Sequence, residues 1–218
     1  GPVSIPGVSA IPWIGPTLFA QTMATYALYV LVPALAWWMG RTHLGLALRA
    51  VGGIESHLIL SQSAARTIVE ETDCDVEAVR SLADVVHNPR DVGASIASGS
   101  FRTEGMLVAP CSVKTLSGIA NCFDEELVVR AADVCLKERR RVVLMFRETP
   151  LHAGHIRLME QATRNGAIVM PPVPGFYSRP KSIDDMVTQS TGRALDLLGI
   201  DAGVVKRWKD SAPPVRKR

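Results

Sequence analysis

Apolar residues come along this chain in two patterns: short unbroken blocks closed by turn residues, and longer stretches in which they recur every three or four positions. The first suits strands buried in a parallel sheet, the second amphipathic helices. On this basis residues 54–60 form a strand ending at Ser61, residues 64–71 a helix, and residues 75–82 a further helix capped by Asp75. Asn88-Pro89-Arg90-Asp91 is a turn, and residues 92–101 are a loop of small side chains. A short strand over 106–109 runs straight into a helix over 114–122. The helix predicted over 125–139 carries acids at its start and bases at its end, as the helix dipole prefers; Leu127, Arg130, Ala131, Val134, Cys135 and Glu138 trace its faces. A strand over 142–146, a helix over 152–164 stopped by Asn165-Gly166, and a strand over 167–170 come next. The proline-rich residues 171–177 form an extended loop before a last helix over 182–198. Strand alternating with helix predicts an α/β fold: a doubly wound parallel sheet with right-handed crossovers and helices on both faces, three layers in all.

Composition adds limits to this picture. A chain of 218 residues is long enough for one α/β domain with a sizeable core. The net charge of +3 is mild, and part of the excess sits in Arg216-Lys217-Arg218. Nucleic-acid binding would call for a basic stripe interleaved with aromatics, whereas residues 137–141 read as a helix end and its solvated flank, so no nucleic-acid partner is expected. The four cysteines, Cys74, Cys111, Cys122 and Cys135, lack the spacing of a zinc site and the density of a disulfide scaffold. No metal is expected, and a reducing cytoplasm fits best. Cys111 reads as a small buried residue at a strand end.

The opening of the chain is of another character. Residues 1–40 contain no Asp, Glu, Lys or Arg, and the first charge is Arg41. Residues 18–40 have about the length that spans a bilayer, with Arg41 and Arg49 as a basic flank, so membrane contact is expected only there. The basic start and cleavage site of a signal peptide are missing. Two readings stay open: residues 1–52 are an anchor or a foreign piece, or they lend the sheet a strand over 26–32 and a helix over 34–51. The expected division is an atypical segment over 1–52, the α/β domain over 53–209, and a disordered tail over 210–218.

Candidate chemistry gathers where strands end. Ser112-Val113-Lys114-Thr115 lies between a strand and a helix, so its amides and hydroxyls point toward whatever occupies the carboxyl edge of the sheet; Ser61 is placed likewise. Ordinary helix caps use the same residues. Arg147-Glu148 closes a strand at that edge, either as a surface ion pair or as part of a site. Lys137 ends the long amphipathic helix, where a lysine also simply complements the dipole. Ser98-Gly99 allows a backbone to approach a ligand closely, and a plain turn would look the same. Arg130, Lys137, Tyr177 and Arg193 could surround an anion with cations and a phenol donor.

Ala97-Ser98-Gly99-Ser100-Phe101, Ala109-Pro110-Cys111-Ser112-Val113-Lys114-Thr115, Arg130-Ala131-Ala132-Asp133, Leu136-Lys137-Glu138-Arg139-Arg140 and Arg147-Glu148-Thr149-Pro150 follow one another in an order and spacing that resembles the flavin prenyltransferase family of UbiX type. The resemblance runs from about Gly53 to Trp208. It implies a Rossmann-like flavoprotein fold, FMN as cofactor, and transfer of a dimethylallyl group from dimethylallyl phosphate to N5 and C6 of reduced FMN, giving the cofactor of UbiD-type decarboxylases. It also implies a large homo-oligomer with sites between subunits. By the same resemblance Glu71, Lys137 and Glu148 are catalytic; Ser61, Ser112, Val113, Lys114, Thr115 and Arg147 bind the flavin; Ser98, Gly99, Arg130, Lys137, Tyr177 and Arg193 bind the allylic phosphate; and Trp208 is an aromatic near the site. The family's first strand, Gly-Ala-Ser-Gly loop and helix have no counterpart here: Leu35-Ala36-Trp37-Trp38 stands where the loop is expected. Residues 2–52 instead resemble a fragment of an ABC-type sugar or nucleoside permease, notably from Arg41 to Gly52. Two other readings therefore remain beside the prenyltransferase. One is an FMN-dependent cysteine decarboxylase, against which the central loop lacks the expected Asn. The other is an inactive chimera without the first flavin loop.

Overall fold

The computed structural model describes residues 53–208 and, ahead of them, the backbone of a two-residue antiparallel pair, β1 (Val3–Ser4) with β2 (Ala20–Gln21). The strand expected over 26–32, the helix over 34–51, the position of Leu35 to Trp38 and the tail from 210 lie outside the described residues, as does all of 18–40 except Ala20–Gln21. Among the described residues no helix is long and apolar enough to cross a membrane.

From Gly53 onward the order is β3 (His57–Ile59), α1 (Gln62–Glu71), α2 (Val76–Arg80), β4 (Val85–His87), a 3-10 turn at Ser95–Ala97, β5 (Gly105–Cys111), α3 (Val113–Ala120), α4 (Leu127–Lys137), β6 (Arg141–Phe146), α5 (Ala153–Arg164), β7 (Ile168–Val169), a 3-10 turn at Phe176–Ser178, and α6 (Ile183–Leu198). All pairing among β3 to β7 is parallel: β3 with β4, and β5 with β6 and β6 with β7. Each element expected from Gly53 onward is present within a few residues of its predicted bounds. β4 is the addition: its three residues follow a turn, too few to show an alternating pattern, and only the ladder to β3 makes them a strand.

The helices lie on two faces of the β5–β6–β7 sheet. Val142, Leu144 and Phe146 of β6 point to one side, where with Cys111 they pack against Leu116, Ile119 and Ala120 of α3, Val129, Ala132 and Cys135 of α4, and Ala162 of α5. Val143, fully buried, points the other way by strand alternation, and α6 packs on β5 and β6 there with Ala194 and Leu195 buried. A smaller cluster, Ile96, Ala97, Leu127 and Ala131, joins Ile59 of β3 to Met106 of β5 and so ties the two parallel sheets together. This is the three-layer, doubly wound α/β architecture expected from the alternation.

Candidate active site

The carboxyl ends of β3, β5 and β6 carry most of the predicted chemistry. Ser61 caps α1, its Oγ accepting the Ala64 N–H at 3.1 Å. Ser112 caps α3 by accepting the Thr115 N–H at 3.3 Å, with Thr115 Oγ1 a further 3.2 Å away. That cap takes the Thr115 amide and leaves those of Val113 and Lys114 at the positive end of the helix, the arrangement that holds a phosphate. The Lys114 side chain turns away from this junction. It is exposed and ion-pairs with Glu126, whose hydrogen bond and charge hold the ammonium above its ordinary value. Lys114 therefore serves the junction through its backbone alone. Cys111, one residue before the cap, is fully buried, and burial pushes its thiol up to about 12, which removes it as a nucleophile.

Glu71, the last residue of α1, and Arg147, just past β6, meet across this edge with Nη1 3.5 Å from Oε2. The same Oε2 is buried and accepts no hydrogen bond among the described residues. A finished surface bridge would not leave it so, because a buried carboxylate oxygen gains most from a full set of donors. The pair is thus open to one more donor. Glu148 is exposed and accepts the Thr149 N–H at 3.2 Å.

Helix α4 brings the second group together. Arg130 donates from Nε to Ala97 O at 3.2 Å and from Nη1 to Asp124 at 2.9 Å and Asp133 at 3.4 Å. Lys137 Nζ sits 2.7 Å from Glu138 Oε1, and that hydrogen bond and charge hold the Glu138 carboxyl below its usual range. Gly99 lies against this pair so closely that a Cβ would stand 2.7 Å from Lys137 Nζ and 2.2 Å from Glu138 Oε1. A side chain at 99 would push the flexible ends of Lys137 and Glu138 aside. Ser98 Oγ and Ser100 Oγ lie 2.9 Å apart in the same loop. Ser98, Gly99, Arg130 and Lys137 therefore form one neighbourhood.

Tyr177 and Arg193 form another. Gln189 Nε2 donates to Tyr177 Oη at 3.1 Å, which leaves the phenolic proton free to donate outward, and the Tyr177 ring meets Trp208 edge-on at 5.8 Å. Arg193 and Arg207 both bind Asp196 Oδ2, at 2.7 and 3.0 Å. Burial alone would raise the Asp196 carboxyl, but the bonds from Arg207 and Arg193 outweigh it and hold it low. Among the described residues no hydrogen bond or ion pair joins this group to Lys137 or Arg130. The four residues expected to surround an anion thus make no direct polar contact across these two groups.

Two contributors escaped the sequence reading. Gln189 is buried on α6 with Ser190 and Thr191, a polar run on a packed face that could have flagged it. Arg140 donates to three groups of the 99–103 loop and was absorbed into a basic run that read as solvated. Among the described residues no group of His, Cys, Asp and Glu is placed to hold a metal ion.

Two capped helix N-termini, an open carboxylate–guanidinium pair and a glycine loop seated on a lysine, on a doubly wound parallel sheet, define an α/β protein built to hold phosphorylated ligands. Known proteins narrow the class. The Flavoprotein family model matches residues 42–190. The flavin prenyltransferase UbiX of Thauera aromatica is 57% identical over 156 residues, covering 72% of this chain and 80% of that protein. UbiX of Escherichia coli K12 is 56% identical over 164 residues, covering 74% of this chain and 87% of that one. The fold superposes on the crystal structure of AnUbiX in complex with FMN and dimethylallyl pyrophosphate with a TM-score of 0.76 and 50% identity, over 78% of this chain and 90% of that one. A dodecameric FMN-dependent UbiX-like decarboxylase from Escherichia coli O157:H7 gives 0.73 and 46%, over 76% and 89%. The chain belongs to the Flavoprotein family and, within it, to the UbiX-type flavin prenyltransferases.

Proposed function

We propose that this chain binds FMN and transfers a dimethylallyl group from dimethylallyl phosphate to N5 and C6 of the reduced flavin. What supports this is the Ser112 cap and the Glu71–Arg147 pair, which share the carboxyl edge of the sheet, together with the Gly99–Lys137 contact ahead of β5 and β6. The residues present fit a flavin phosphate: the amides of Val113 and Lys114 with the hydroxyls of Ser112 and Thr115 would form its cradle, and Glu71 Oε2, which makes no hydrogen bond among the described residues, would suit an N–H or O–H elsewhere on the flavin. Reduced FMN supplies the nucleophilic ring atoms when bound. Arg147 pairs with Glu71 and so stays neutralised until a ligand enters, while Glu148, exposed beside it, is placed to take or return a proton. Lys137 and Arg130 offer positive charge to the departing phosphate, and Tyr177 offers a phenolic proton. With reduced FMN held there, the donor's C–O bond would break with its electron pair leaving on the phosphate beside Lys137 and Arg130, N5 would exchange its N–H for the bond to the prenyl carbon, and Glu148 would take the released proton.

With no polar contact joining Tyr177 and Arg193 to Lys137 within one chain, a homo-oligomer in which one copy supplies the pair to the site of the next would complete the set, and one relative is dodecameric. The product would serve a UbiD-type decarboxylase in the cytoplasm, with residues 53–209 as the working unit. FMN titration by fluorescence quenching tests the first step. Incubation with reduced FMN and dimethylallyl phosphate, read by product mass, tests the second. No flavin binding, or binding without a prenylated product while an intact relative makes one, refutes the reading.

A further inference from the structure

The three consecutive arginines after α4 differ in what they reach. Arg141, which opens β6, donates to Leu197 O at 3.3 Å, toward the amino edge of the sheet. Arg139 takes the left-handed conformation at φ +60°, its N–H donating to Leu136 O at 3.0 Å while the Arg140 N–H donates to Cys135 O at 2.8 Å. These are the paired bonds of a Schellman motif ending the helix, and they turn the chain so that Arg140 reaches the opposite way from Arg141. Arg140 Nη2 donates to Gly99 O at 2.8 Å, and Nη1 to Phe101 O at 2.7 Å and Thr103 Oγ1 at 3.3 Å. Its guanidinium is a planar fork, so two nitrogens can bind two carbonyls of one loop at once, which an ammonium cannot match.

We infer that Arg140 is a positioning residue: its fork pins the 99–103 loop to the end of α4 and so sets the distance between Gly99 and Lys137. The inference rests on the proposed function only in naming the consequence, which is tighter binding of the allylic phosphate. Two observations carry it independently of any ligand. The fork engages both Gly99 and Phe101 carbonyls, and it holds Gly99 close against the side-chain ends of Lys137 and Glu138. Arg130, which holds Ala97 O from the same helix, fixes the other end of the loop, so removing Arg140 frees the half nearest Lys137.

The test compares wild type with Arg140→Lys and Arg140→Met in the full-length protein, with circular dichroism and thermal melting to show that each folds. Hydrogen exchange of the 97–103 segment without ligand reads the brace directly: Arg140→Met should raise it at least about tenfold, corresponding to about 1.4 kcal/mol of lost protection, and Arg140→Lys by less. Kinetics with saturating reduced FMN should show the KM for dimethylallyl phosphate raised at least tenfold in Arg140→Met, partly rescued in Arg140→Lys, with FMN affinity within twofold of wild type. Unchanged exchange overturns the brace, and raised exchange with an unchanged KM overturns its role in donor binding. A wild type that makes no product while the variant's exchange still rises refutes the proposed function and leaves the brace standing. Should Arg140→Met fail to fold, Arg140→Lys alone decides by the same two readings.

Discussion

Ser112 has two duties that a pair of substitutions can separate. Its Oγ accepts the Thr115 N–H at 3.3 Å and lies 3.2 Å from Thr115 Oγ1; with the Thr115 hydroxyl as donor in that contact, the Ser112 proton is left for a phosphate oxygen. Ser112→Ala removes both functions. Loss of an N-cap costs about 1 kcal/mol, which in a protein of this size lowers Tm by roughly 2–4 °C. Loss of a hydrogen bond to a charged phosphate costs about 1.5–3 kcal/mol, or roughly 10- to 150-fold in FMN affinity. Ser112→Gly loses the hydroxyl while costing the cap only a few tenths of a kcal/mol. The expectation is therefore that both variants lose flavin affinity by at least tenfold but only Ser112→Ala shows a clear fall in Tm. Fluorescence-quench titration and thermal melting, run on the same preparations, give both numbers. If Ser112→Gly binds FMN as tightly as wild type, the hydroxyl does not touch the ligand and the junction is merely a helix start. If affinity follows stability through the pair, the argument is refuted in another way, because binding then reports only helix integrity.

Three further outcomes are expected. Gly105→Ala should destabilise by more than about 2 kcal/mol in urea, because its Cβ would stand 2.6 Å from the backbone oxygen of Arg141 in the β5–β6 ladder, where neither strand can yield; a loss under 0.5 kcal/mol would show that the ladder adjusts. Arg139→Gly should raise stability by up to about 1 kcal/mol, since φ +60° strains a residue with a Cβ and the strain relieved exceeds the entropy glycine adds to the unfolded chain; a lower urea midpoint would sink this. His87 is held below the ordinary histidine value of 6.5 by burial and by His57, whose Nδ1 lies 2.9 Å from its Nε2, with Asp91 opposing. Below about 6.5 the unfolded chain then takes up a proton that the folded chain resists, so stability should fall as pH drops from 6.5 through the folded value, and His87→Gln should flatten that slope.

Much of this protein is already determined by local chemistry. Ser61, Ser112 and Ser182 each begin a helix within a residue or two of the expected start, because a hydroxyl ahead of an amphipathic run is itself the cap. The strand 142–146 was evident because both of its faces are buried and so both alternating sets of residues are apolar, and 106–109 because its apolar block is bounded by turn residues and a helix start. The family was evident too, through the order of its motifs. β4 was not, since three residues have no period and only a partner strand defines them. Nor was the pairing of Glu71 with Arg147, which are joined by nothing in the sequence and meet only because α1 and β6 end at the same sheet edge. Arg140 shows the limit most plainly. In a run of three arginines all read alike as solvated charge, and it takes the left-handed turn at Arg139 to send one toward the Gly99 loop and its neighbour toward α6. Sequence periodicity records which face of an element is buried, but the direction in which a long cation points depends on how elements distant in the chain are packed, and that is a property of the folded whole.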